Sequence, residues 1–437
     1  MKSIKRTVIA AAAALLAMTA CTDRSTVLKI YNWGDYIDED LLNEFEDWYF
    51  EQTGEEVHTV YQTFDINETM LSRIEKGQED YDLACPSDYI IERMLRADLL
   101  LPIERDFGDT PDYITENLSP FIISSFGKIE AGDKNVMDYA VPYMWGTTGI
   151  LYNAAYVDDE EATTWDIIRN PKFEDKIFMK DAPRDVYSPL LIFLKQKELQ
   201  EGSVTMEELM YDCSDESIAL VEKYLKDVKQ YVAGWEADFG KEQMTQEKGY
   251  VNFTWSGDAM WAVVEGKDVG VDLRYQIPKE GSNVWFDGWV IPKYAKNVKA
   301  ARYFLDFMCR PDNAIRNMDV TGYVGSIASP EVLETMIDDS LEGTVDASYF
   351  FGEEGKDVKL NPLFYPDASD IDRCTLMHDW GDDTEKLIEM WSRVKGDNAS
   401  LRTYFVIFVT LAALIGYKVG TKVQKSRRKK QRRLYTK

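Results

Sequence analysis

Tryptophan, tyrosine and aspartate arrive together at five places along this chain: Trp33-Gly34-Asp35-Tyr36, Ser87-Asp88-Tyr89, Asp181 with Asp185, Trp255, and Trp285 with Asp287. Ring faces attract alkylammonium groups and sandwich methylenes, while carboxylates accept ammonium hydrogens, so these residue types in one cleft suit an extended organic polycation. Each cation–π contact contributes only about 0.5–2 kcal/mol, depending on desolvation, so several must converge. One tryptophan in a chain with 13% aromatic residues is ordinarily core, and one aspartate after a strand is ordinarily a helix cap. Five such places in succession shift that balance towards binding. Paired carboxylates and tryptophan platforms also serve glycoside hydrolysis, but nothing beyond the shared residue types favours an enzyme. His58 and His378 are the only histidines, which leaves little for histidine catalysis or metal binding, and no catalytic group, metal or cofactor is expected.

An alternation of strands and helices must position these residues. VLKIYNW reads as a strand; Leu41, Leu42, Phe45, Trp48 and Tyr49 recur at helical spacing from about Glu39 to Gln52, and Gly54 ends that helix. VHTVYQTF reads as a strand, Asn67 as the cap of a helix bearing Met70, Leu71 and Ile74, YDLACPS as a strand, and Ser87 as the cap of a helix with Ile90, Ile91, Met94 and Leu95. The pattern resumes after AVPYMWGTTGILYN with the strand KIFMK, a helix around Pro189 to Leu199, the strand YVNFTW running into helical GDAMWAVVEG, an amphipathic helix from Lys299 to Arg310, and a helix capped by Ser329-Pro330. Strand and helix at such short intervals mean parallel α/β layers. In such sheets ligands gather beyond the C-terminal strand ends, where the aromatic and acidic residues fall.

The two ends differ from the body. Met1 to Ala20 has a basic start and an apolar run, as secretory signals do, and Met18-Thr19-Ala20-Cys21 resembles the lipobox of bacterial lipoproteins, which makes Cys21 the expected lipidation site. Thr403 to Tyr417 is uncharged, so residues 403–420 are read as a membrane span, and the basic tail 421–437 is expected to stay in the cytoplasm. Of 50 basic residues, three lie in the first twenty and 11 after Ser400, where no acid occurs, so the span between carries 36 against 77 acidic residues, a formal charge near −41. A field of that sign repels nucleic acid and attracts cations. Cys85, Cys213, Cys309 and Cys374 are too widely spaced for a zinc or thioredoxin-type site; three pairings are open, and Cys85 and Cys309 lie in apolar contexts that suit buried thiols.

The stretches YNWGDYI, FDINETMLSRI, YDLACPSDYI, VPYMWGTTGILYN, FTWSGDA, WFDGWVIPKYAKN, FLDFMCRP and TGYVGS resemble, in that order, the spermidine/putrescine-binding proteins of ABC importers, over about Val27 to Lys395. The resemblance implies a type II periplasmic binding protein fold, with two α/β lobes, a hinge and a ligand cleft between the lobes. It implies capture of putrescine or spermidine for an ABC permease and its ATPase subunits, outside the cytoplasmic membrane. It implies an aromatic box of Trp33, Tyr36, Tyr89, Trp255, Trp285 and Tyr323, acidic anchors at Asp35, Asp181, Asp185 and Asp287, and a small polar contact at Ser87. Asp35 and Asp185 stand where relatives carry longer glutamates. Met377 falls where relatives can offer a glutamine amide, which a thioether does not replace as an acceptor, so the preferred polyamine is left open. Lobe one is expected at 27–137 and 285–330, lobe two at 141–280 and 333–395, with crossings near Asp138 to Val141, Ile277 to Val284 and Pro330 to Leu333. Two other readings share these residues: a binding protein for another solute, of which an amino acid would need a basic partner such as Arg184, and a membrane-tethered polyamine sensor.

Overall fold

The computed structural model describes residues 24–129 and 131–396. The stretch 1–20 read as a secretory signal, Cys21, the stretch 403–420 read as a membrane span and the basic tail lie outside the described residues. Among the described residues no helix is long and apolar enough to cross a membrane.

The first lobe opens with β1 (Val27–Trp33), the helix Asp40–Thr53, β2 (His58–Phe64), the helix Asn67–Glu75, β3 (Leu83–Ala84), the helix Asp88–Arg96 and β4 (Leu100–Leu101). β1 pairs in parallel with β2 and with β3, as the short alternation of strands and helices requires. Successive residues of β1 point to opposite faces, so Leu28 and Ile30 enter one apolar cluster with Phe45 and Phe304, while Tyr31 enters another with Ile90 and Phe286. Both faces of this sheet are therefore covered, the arrangement parallel sheets need. At Gly54 the left-handed backbone, φ +71°, lets its N–H close on the Phe50 carbonyl and stop the first helix.

Two long strands join the lobes. β5 (Ala140–Asn153) is buried throughout. It is followed in the second lobe by β6 (Ile177–Lys180), β7 (Val232–Glu236), β8 (Val251–Trp255) and β9 (Leu273–Gln276), after which β10 (Ser282–Pro292) returns. The strand order is β2-β1-β3-β10-β5-β8-β6-β7, with β9 also on β5. β5 pairs antiparallel with β10 from Ala140 to Thr147, then with β8 from Thr148 to Tyr152. The chain thus leaves the first sheet between Thr147 and Thr148 rather than near Asp138 to Val141. The apolar run is broken there only by Gly146-Thr147-Thr148-Gly149, and β5 stays buried on both sides of that break, so the change of partner strand is settled by packing.

β11 (Val324–Gly325) pairs with β5, and β12 (Cys374–Leu376) runs parallel to the start of β10. The third crossing follows β12, since Met377 and Trp380 pack in the second-lobe core with Ile150, Trp165 and Leu387. Val332 and Leu333 lie instead in first-lobe clusters, and so do Phe350, Tyr365 and Ile371. The stretch from 333 to 371, expected in lobe two, is held to lobe one by its aromatic side chains: Phe350 stacks on Trp145 at 5.7 Å and meets Tyr365 at 5.1 Å. Cys85, Cys213, Cys309 and Cys374 are free.

Candidate functional site

Past the end of β1 the chain turns through Asp35, which takes a left-handed backbone at φ +52°, and this sends Tyr36 inwards. Tyr36 is buried, and its hydroxyl donates to Asp287 Oδ2 at 2.8 Å. Tyr143 fixes the turn by donating to the Tyr36 carbonyl at 2.7 Å. Asp287 sits where the β5–β10 register shifts between Asp287 and Gly288, and an irregularity of this kind re-aims a side chain at a strand position. Strand alternation puts Asn283, Trp285 and Asp287 on one face of β10, while Val284 and Phe286 turn to the first-lobe core.

Ser87 bridges Asp287 through the backbone. Asn67, expected as a helix cap, is instead the first helical residue, and its amide donates to Ser87 Oγ at 3.0 Å and to Tyr89 Oη at 3.1 Å. The gain is a pair of hydrogen bonds that sequence distance conceals. Tyr323 follows the left-handed Gly322 and meets Tyr36 edge-on at 5.0 Å and Trp285 at 5.7 Å. Two glycines make room for these rings. A Cβ on Gly257 would lie 2.3 Å from the Tyr323 ring, and one on Gly146 would lie 2.5 Å from Trp285 Cζ2.

From the second lobe, Trp255 ends β8 and Asp185 lies in the first turn of the helix Pro183–Leu194. That helix begins before the span expected around Pro189, with Pro183 in its first turn, where a missing N–H costs nothing. Arg184 spreads its guanidinium over Tyr89 of the first lobe at 4.4 Å and over Trp380 at 4.5 Å. The Tyr323 hydroxyl reaches Asp258 Oδ1 at 3.2 Å, so the lobes touch across the cleft.

Of the residues expected from the sequence, Tyr36, Ser87, Tyr89, Trp285, Asp287 and Tyr323 are joined by these contacts, and Asp185 and Trp255 come to the set through electrostatics: Trp255 steadies the Asp185 carboxylate, whose charge is felt at Asp287. Trp33 leans on Phe64 at 4.4 Å beside them, its Nε1 buried without a partner. Asp35 is exposed on its turn. Asp181 is drawn elsewhere: it accepts the Trp391 indole N–H at 2.8 Å and pairs with Lys395. Sequence reading missed Asn67, Lys180, Asp258 and Asn283. Lys180 closes an apolar strand and Asp258 follows Trp255 by one short turn, the two signals that could have found them.

The electrostatics favour a cation. Burial lifts the Asp287 carboxyl to about 7, although nearby Ser87 and the Tyr36 hydroxyl pull it partly back, and repulsion from Asp185 adds to the rise. Asp185 rises to about 6, again through burial, although Trp255, Arg184 and Asn283 pull it partly back. Asp287 Oδ1 and Trp285 Nε1 are buried without a protein partner. Such groups ordinarily find one, so a ligand ammonium at Asp287 would satisfy a need already present. Among the described residues no cluster of His, Cys, Asp and Glu could hold a metal ion.

Residues 40–340 match the family described as bacterial extracellular solute-binding protein. The spermidine/putrescine-binding periplasmic protein of Salmonella typhimurium is 27% identical over 399 residues, covering 90% of this chain and 99% of that protein. The putrescine-binding periplasmic protein PotF of Escherichia coli is 29% identical over 315 residues, covering 69% of this chain and 78% of that protein. A solved structure described as a putative spermidine/putrescine ABC transporter from Listeria monocytogenes superposes with a TM-score of 0.66 at 30% identity, covering 85% of this chain and 99% of that one. The spermidine/putrescine substrate-binding protein PotD of Streptococcus pneumoniae gives a TM-score of 0.62 at 29% identity, with coverage of 85% and 99%.

Proposed function

The chain belongs to the bacterial extracellular solute-binding proteins, and on that premise we propose that it captures a polyamine between its two lobes and delivers it to the permease and ATPase subunits of an ABC importer. It is a binding component of a transporter, not an enzyme. The observation that carries the ligand class is the buried Asp287 carboxylate, one oxygen on the Tyr36 hydroxyl and the other without a partner, beside the rings of Tyr36, Trp285 and Tyr323.

An ammonium entering there gains a charge-assisted hydrogen bond and ring faces together, which offset its lost hydration once the lobes exclude water. Methylenes of the ligand then lie along Trp285 and Trp255. Asp185 supplies the second carboxylate and Ser87 a small polar contact. Closure is a hinge motion about the β5 and β10 crossings. The acidic body matches a cationic ligand and disfavours nucleic acid.

The location is extracytoplasmic, periplasmic in a cell with an outer membrane. We extend the proposal to the ends of the chain: lipid on Cys21 and an apolar span at 403–420 hold the body at the outer face of the cytoplasmic membrane, with the basic tail inside.

Native mass spectrometry of the purified protein tests the ligand class. A co-purified mass matching putrescine or spermidine is expected. A co-purified sugar, amino acid or metal complex would overturn the reading.

A further inference from the structure

Two rings of the aromatic set already carry a cation of the protein's own: the Lys180 ammonium lies 4.2 Å from the Trp255 ring centroid, and Arg184 covers Tyr89. Lys180 is the more complete case. Its side chain has no solvent exposure and contacts Asp258 Oδ2 at 2.5 Å, Glu236 Oε1 at 3.2 Å and the Ala237 carbonyl at 2.7 Å. The second Asp258 oxygen takes the Tyr323 hydroxyl and, at 3.1 Å, the Lys241 ammonium. A tryptophan face and a carboxylate tied to a second ring are what an alkylammonium ligand seeks, and here a lysine occupies them. Burial alone would lower Lys180, yet Asp258 and Glu236 outweigh it and hold the group above its ordinary value, so it is charged at neutral pH.

The charges beyond that cluster match a short ligand. Lys180 and Lys241 stand against Asp258 and Glu236, so the buried cluster at the Trp255 end is neutral within itself, and the one further carboxylate felt at Tyr323 on this side, Asp238, is exposed to solvent. At the Tyr89 end the Arg184 guanidinium offsets Glu68, which takes the Tyr89 hydroxyl at 3.3 Å. Between them remain Asp287, Asp185, which Arg184 offsets only in part, and the buried Asp88, whose oxygens are taken by the Tyr89 and Phe286 backbone N–H groups; the raised carboxyls of Asp185 and Asp287 mark negative charge that the protein itself compensates poorly.

We propose that Lys180 sets ligand length: by filling the place between Trp255 and Asp258 with an ammonium of the chain itself, it confines the site to a short diamine carried between Asp287 and Asp185. A triamine would have to bring its third ammonium towards Lys180, and like charges in a dry site disfavour one another. This inference rests on the polyamine reading above and adds a selection among polyamines to it.

Calorimetric titration of the full chain with 1,4-diaminobutane and with spermidine tests it. The unmutated protein is expected to bind the diamine at least tenfold more tightly. The double variant Lys180→Met, Glu236→Gln removes one charge of each sign and frees the Trp255 face and Asp258 Oδ2, Oδ1 staying with Lys241 and Tyr323, so the ratio should move at least tenfold towards the triamine. Lys180→Arg keeps the charge and should keep the ratio. A purely structural role would weaken both amines by one common factor. An unchanged ratio in the double variant, or equal or tighter triamine binding by the unmutated protein, overturns the inference and leaves the polyamine reading standing. Should the double variant not fold, the unmutated ratio still decides. Failure of the unmutated protein to bind either amine overturns both.

Discussion

Asp185 and Asp287 approach the cleft from opposite lobes, and the charge on Asp185 adds to the burial that lifts Asp287 to about 7. Two carboxylates that resist ionisation together are ready to share a dication, which removes the repulsion and restores the solvation that burial took away.

Binding should therefore depend on pH. A ligand ammonium needs the ionised carboxylates, and below its pKa each group loses about tenfold in its charged fraction per pH unit. With Asp287 near 7 and Asp185 near 6, affinity for a diamine is expected to fall at least tenfold from pH 8 to pH 6, with proton release on binding near pH 7. Titration calorimetry in buffers of different ionisation enthalpy measures both. A flat profile would remove the two carboxylates from the site.

Asp287→Asn should separate binding from folding. A carboxyl raised in the fold contributes stability that is present below its unfolded value, about 4, and lost as pH rises through about 7. The ligand-free variant is expected to melt at or above the unmutated protein at pH 8, with the advantage vanishing near pH 4. Its affinity should fall at least tenfold, about 1.4 kcal/mol. Unchanged affinity with unchanged melting would show that Asp287 serves neither role.

Asp181 should behave in the opposite way. Its oxygens are held by Trp391 and Lys395, which tie the last described helix to the end of β6. Asp181→Asn is expected to lower the melting temperature while changing diamine affinity less than threefold. Loss of binding without loss of stability would return Asp181 to the ligand.

Gly257→Ala tests the ring packing. The added Cβ would press on the Tyr323 ring, which must then shift away from Tyr36 and Trp285. Weakened binding, by tenfold or more, is expected in a protein that still folds. Affinity equal to the unmutated protein would mean that Tyr323 does not shape the site.

The anchors can be checked in cells. Protease added to spheroplasts should digest the body and spare a small C-terminal fragment. Recovery of the intact chain in a soluble fraction would exclude both the lipid at Cys21 and the span at 403–420.

The local rules are legible in the chain. Alternation of apolar strands and helices leads to layered α/β lobes, and the period of two in VWFDGW is enough to put Trp285 and Asp287 on one side of β10. The binding chemistry follows from residue types alone, because rings and carboxylates attract ammonium groups wherever they converge. Tertiary structure decides which carboxylates converge. Asp181 and Asp185 leave the same strand end, yet one is held by Trp391 and Lys395 while the charge of the other is felt at Asp287. Lys180, reading as the polar end of an apolar strand, becomes an internal cation only because Asp258 and Glu236 close around it. The exit point of β5 and the attachment of residues 333–371 to the first lobe are settled by packing as well. Periodicity reports the face a side chain takes, since it arises from the backbone within a few residues. A charge's partner comes from segments far away along the chain, and only folding brings them into contact.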